Sequence, residues 1–131
     1  MTLIDESLLN SISEQAQSNP RLRMNYNLHQ NLDNEVQRLL NALEPGTQLP
    51  IHRHPDTDET YILLRGKIRA LFYDNSGNLI KTIELSPNEG AYGINIPAGQ
   101  WHTLEVLEKG SVIFEVKKGP YTPINDENML Q

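Results

Sequence analysis

The spacing His52-x-His54-x4-Glu59 stands out as a set of side chains that can do chemistry together. Residues two apart in a strand point to the same face, so both imidazoles can project into one cavity. Pro55-Asp56-Thr57-Asp58 reads as a turn. It starts a new strand at Glu59, whose carboxylate can reach the same point from next door. Far downstream, Pro97-Ala98-Gly99-Gln100-Trp101 turns the chain and delivers His102 into another strand. Three imidazoles and one carboxylate make a good site for a first-row divalent metal. The chain has no cysteine, so any metal must rely on nitrogen and oxygen donors. Such donors suit iron, zinc, nickel, manganese and copper, and leave the choice among them open.

Other residues are placed to assist. Arg21, Arg23, Asn25, Asn27 and His29 share one strand parity, and Leu22, Met24, Tyr26 and Leu28 share the other. If the polar face lies beside the metal, Arg23 can hold a carboxylate or phosphate bidentately, with Asn27 beside it. His29 can then move a proton, because imidazole titrates near neutrality. The alternative for His29 is a structural or surface histidine. Tyr61 shares parity with Glu59 and either lines the cavity or packs in the core. Ile113 and Glu115 share a face opposite Val112, Phe114 and Val116. If that face is interior, Glu115 is a buried carboxylate and an acid–base candidate; otherwise it is a solvated charge. Trp101 and Arg53 alternate with ligands and should point away from the metal.

These side chains need a scaffold of short strands. Tyr61–Leu64, Lys67–Tyr73, Leu79–Leu85, Tyr92–Ile96, His102–Leu107 and Ser111–Val116 are strand-like runs. Gly66, Asp74-Asn75-Ser76-Gly77, Ser86-Pro87-Asn88-Glu89-Gly90 and Glu108-Lys109-Gly110 punctuate them. That rhythm predicts a β-sandwich or barrel. Before it, Leu8, Leu9, Ile12 and Ala16 recur at helical spacing after Asp5, a suitable N-cap, and Asn19-Pro20 ends the helix. Val36, Leu39, Leu40 and Leu43 also fit a helical stripe, so local pattern favours helix over residues 34–43.

The stretch Gly46-x5-His52-x-His54-x4-Glu59-x6-Gly66 matches the first cupin motif at every defining position. The stretch from Gly90 through Pro97, Gly99 and His102 resembles the second. It departs in two places: Gly90 is one residue too far from Pro97, and Val106 replaces an asparagine. Neither departure removes a metal ligand. The resemblance implies an all-β cupin fold, a double-stranded β-helix or jelly-roll barrel, with a short N-terminal helix and a metal at one end. It implies one cupin domain over 1–131: helix and added strand at 1–33, barrel at 34–118, and a surface tail at 119–131. The whole chain also resembles the WbuC-family cupin metalloproteins, which are associated with bacterial surface-polysaccharide gene clusters. The carrying residues are Arg23 to His29, His52-Arg53-His54-Pro55, Glu59, Ile96 to His102 and Gly119-Pro120-Tyr121-Thr122-Pro123.

The whole-chain numbers narrow the partners. A length of 131 residues allows one core. A net charge of −6 with scattered cations argues against nucleic acid, which demands a basic face. No apolar run reaches the ~18 residues of a membrane span, and the N-terminus does not read as a signal peptide. A cytoplasmic protein with a small-molecule ligand is expected, and the N-terminal helix or a sheet edge offers a route to a homodimer. The resemblance implies a metal-binding cupin acting on a sugar or other small polar metabolite, with isomerase or epimerase chemistry. An iron-dependent dioxygenase and a non-catalytic ligand-binding barrel are the alternatives, because fold alone does not select a reaction.

Overall fold

The computed structural model describes residues 1–130. Helix α1 spans Glu6–Ser18. Ten strands follow: β1 Arg23–Asn27, β2 Val36–Leu43, β3 Ile51–His52, β4 Glu59–Arg65, β5 Ile68–Tyr73, β6 Leu79–Leu85, β7 Gly93–Ile96, β8 Trp101–Val106, β9 Ser111–Lys118 and β10 Met129–Leu130. They form two five-stranded sheets, ordered β1-β2-β9-β4-β7 and β10-β3-β8-β5-β6. All recorded pairings of these strands are antiparallel.

The predicted helix forms where the sequence placed it. The Asp5 carboxylate accepts from the Leu8 amide at 3.0 Å and caps the first turn. Leu9, Ile12 and Ala16 are buried against Leu40, Ala42 and Val112, on the outer face of the first sheet. Arg65 fixes the helix to that sheet, donating to Glu6, Asn10 and Ser13 on α1 and to the Gly110 carbonyl.

Residues 36–43 are a strand, which corrects the helical expectation. β2 lies between β1 and β9 and pairs with both. Leu40 and Ala42 face the helix, Leu43 joins the core between the sheets, and Leu39 is buried against a cavity on the same face as Leu43. Apolar residues on both faces erase the two-residue alternation and imitate a helical stripe.

The second core lies between the sheets. Tyr61, Leu63, Ile68, Ala70, Phe72, Leu104 and Ile113 are among its buried residues. Gly66, in the turn from β4 to β5, stands where no side chain fits: its φ is +97°, and an added Cβ would sit 2.6 Å from Ser111 Cα. Val106, standing where the second motif has asparagine, is simply another core residue at 7% exposure. The tail is more than a surface strap, since β10 pairs with β3 through Met129 opposite His52.

Candidate metal centre and adjoining cavities

The four expected ligands meet at one end between the sheets. His52 ends β3, His102 lies opposite it on β8, and Glu59 opens β4 in the other sheet. His54 sits in the loop that joins β3 to β4. One donor atom from each lies within 4.8 Å of all the others, so the set could hold one ion. Glu59 Oε1 is 3.1 Å from His102 Nε2, and Glu59 Oε2 is 3.3 Å from His54 Nε2.

The surrounding hydrogen bonds fit a cation. His52 Nδ1 lies 2.9 Å from the Pro50 carbonyl, and His102 Nδ1 lies 2.9 Å from the Gln100 carbonyl. A carbonyl only accepts, so each Nδ1 carries the proton and each Nε2 presents a lone pair. At His102 that lone pair then faces the Glu59 carboxylate, which also only accepts. A divalent cation held by these residues would satisfy both acceptors with the imidazole neutral.

Protonation follows the same geometry. Burial pushes the His52 pKa down to about 4, with His102 adding to the effect. Burial opposes ionisation of Glu59, but with no metal bound, protons on the facing nitrogens of His102 and His54 would outweigh it and hold the carboxyl well below its usual range. The Tyr61 hydroxyl donates to Glu59 Oε1 at 2.9 Å and is 3% exposed. Burial, then the charges of Glu59 and Glu115, raise its pKa well above 10 and keep it a donor.

One cavity adjoins the candidate ligands, and a second lies beyond it. The first, about 230 Å³, is lined by His52, His54, Glu59, Tyr61, Arg23 and Glu115, among others. Glu115 is interior, 8% exposed, and its Oε1 accepts from Asn41 Nδ2 at 3.0 Å. Burial, followed by the charge of Glu59, raises its pKa to about 7. The second cavity, about 290 Å³, contains His29 and Asn27. His29 and Asn27 therefore do not line the metal-side cavity, contrary to the expectation of a proton carrier and a substrate contact beside the metal. The β1–β2 pairing carries them past it along the same sheet face. Asn41, Glu115 and Lys117 border both cavities.

Asn41, Lys117 and Ile124 are lining residues that motif reasoning missed. Asn41 was visible as a lone amide inside Leu39-Leu40-Asn41-Ala42-Leu43, and Lys117 shares parity with Glu115. Ile124 gave no signal, because a coil residue has no periodicity to read. Trp101 and Arg53 point away from the ligands, as expected. The Arg53 guanidinium lies 4.5 Å from the Trp101 ring centre, and the indole donates to Asn75.

A family model described as a domain of unknown function, DUF6016, matches residues 4–85, more than half of the chain. The chain belongs to the DUF6016 family. The match runs from α1 through β6 and includes His52, His54 and Glu59. No curated protein matches this DUF6016 chain significantly. Solved structures do resemble it. Capsular polysaccharide assembling protein CapF from Staphylococcus aureus is 18% identical with a TM-score of 0.65, over 86% of this chain and 32% of CapF. KdgF from Halomonas sp. is 16% identical with a TM-score of 0.59, over 79% of this chain and 84% of KdgF. BH2720 from Bacillus halodurans is 18% identical with a TM-score of 0.60, over 94% and 85%. The DUF6016 chain thus spans about a third of the length of CapF. These likenesses support the cupin jelly roll as its fold.

Proposed function

We propose that this chain is a metal-dependent isomerase or epimerase acting on a sugar or similar small polar metabolite, with His52, His54, Glu59 and His102 as the metal ligands. The observation that carries the reading is Glu115, a buried carboxyl that lines the ligand-side cavity without belonging to the ligand cluster. Proton transfer next to a carbonyl needs one group that accepts a proton and then returns it. A carboxyl raised to about 7 is present in both forms at neutral pH. Asn41 holds one of its oxygens and leaves the other for substrate. As base, Glu115 takes a proton from the carbon beside a carbonyl. As acid, after its proton exchanges with solvent, it returns a proton to the adjoining carbon, while the hydroxyl proton passes between the two substrate oxygens. The carboxyl ends in its starting state.

A bound divalent cation would polarise the substrate carbonyl or hydroxyl. Tyr61 orients the Glu59 carboxylate through its hydrogen bond and so has a positioning role. Arg23 and Lys117 line the same cavity and supply positive charge for an anionic substituent. The WbuC resemblance, together with the capsular polysaccharide assembling protein among the structural neighbours, supports surface-polysaccharide metabolism as the setting.

The test is deuterium wash-in from heavy water into a panel of sugars and nucleotide sugars, using protein of measured metal content. Metal-loaded wild type should exchange hydrogen at a carbon beside a carbonyl. Glu115→Gln should slow exchange by ~10²–10⁴-fold with its metal retained. His52→Ala/His54→Ala should lose both metal and exchange. Absence of exchange across the panel with metal-loaded wild type defeats the reading.

A further inference from the structure

The second cavity presents a specific hydrogen-bonding problem. His29 is 6% exposed, and its Nδ1 lies 3.0 Å from the Arg38 carbonyl and 3.1 Å from the Arg38 amide; the carbonyl already accepts from the Leu28 amide, so Nδ1 serves the Arg38 amide as acceptor. An acceptor nitrogen carries no proton, so in the neutral ring the proton sits on Nε2. That Nε2 is buried and has no partner. Asn41 shows the complementary defect. Its Nδ2 donates to Glu115, and its Oδ1 is buried without a partner. Buried polar atoms without a partner are costly and rare in folded proteins and call for an explanation. Both residues line the cavity of about 290 Å³, and Asn25, Asn27 and Gln37 add further amides.

One side chain offers a donor and the other an acceptor. Hydroxyl groups answer both, since each accepts one hydrogen bond and donates another. A carboxylate cannot donate to Asn41, and an ammonium cannot accept from His29. The cavity is continuous in its lining with the metal-side cavity through Asn41, Glu115 and Lys117. Together the two volumes fall well within the ~300–1,000 Å³ usual for a ligand site.

We propose that the cavity around His29 and Asn41 is a second subsite that binds a polyhydroxylated group, so that the ligand is a glycoside of about two sugar units spanning both cavities. This rests on the reading of the metal-side cavity as the reacting end, and it assigns the other end. His29 is here a binding residue that donates through Nε2, and Glu115 lies at the junction.

The experiment is NMR of zinc-reconstituted protein with labelled histidine, titrated with maltose and lactose and with glucose and galactose. A disaccharide should shift the His29 ring signals together with those of His52 or His54. A monosaccharide should bind at least tenfold more weakly. His29→Phe, which keeps a ring but removes the donor, should weaken the disaccharide about tenfold, the value of one hydrogen bond near 1.4 kcal/mol. Because that variant also strands the Arg38 amide, Asn41→Leu serves as a second variant with the same expected loss. His29 signals unmoved by every sugar would mean that the cavity holds water only, and would overturn the proposal. Equal affinity for mono- and disaccharides would overturn it too. Shifts at His29 without deuterium exchange would keep the subsite and remove the catalytic reading; exchange with His29 unmoved would do the reverse.

Discussion

A carboxyl group that burial has pushed up in pKa weakens the fold as it ionises. Glu115 titrates at about 7 in the folded chain, against an ordinary value of 4.5. Between those values the unfolded chain binds fewer protons than the folded one. The stability that Glu115 contributes is therefore full below about pH 4.5 and is lost as the pH rises to about 7. Denaturant titrations of chelator-treated protein across that window should show this slope. Glu115→Gln should flatten it and gain a few kcal/mol at pH 8. A variant with the wild-type slope would show that the carboxyl is solvated after all. The sequence offered both readings of Glu115, because strand parity tells which residues share a face and not which face is interior. The ligands carried no such ambiguity. His52, His54, Glu59 and His102 repeat the donor pattern of a known motif, although His54 stands in a loop and not on the strand that parity assumed.

Helix α1 covers the outer face of the first sheet, away from the ligands. Ile12 is 2% exposed and packs on the residues of β2 and β9 that face outward. Ile12→Ala should cost ~2–5 kcal/mol, read as a shift in the denaturation midpoint, with metal stoichiometry unchanged. Loss of metal together with stability would instead tie the helix to the site. The helix was legible because its cap, its stripe and its stop agree. Strand β2 was not, because it is covered on both sides and its pattern is that of a buried run. The placement of His29 failed for a related reason. Its parity with Arg23 was visible and real, yet β1 travels along the sheet, so Arg23 reaches the first cavity and His29 the second. Parity gives the face, and only the pairing register gives the distance along it.

At the scale of the whole molecule, the proposed metal would stabilise the fold by mass action, since the complete donor set exists only when both sheets are formed. With free metal a hundredfold above its dissociation constant, the gain is ~2.7 kcal/mol, or roughly 10 °C in melting temperature for a chain of this size. Differential scanning calorimetry with and without chelator reads that gain, and the His52→Ala/His54→Ala variant should show none. The order of events during folding follows from where the ligands sit in the chain. His52, His54 and Glu59 lie close together in sequence, whereas Glu59 and His102 are 43 residues apart. Closing such a loop costs entropy before any contact rewards it, and antiparallel sheets joined this way form slowly. A nascent chain therefore offers a metal at most three of the four donors. Capture by all four would come after sheet closure, so the choice of ion would fall to the finished protein and not to the growing chain.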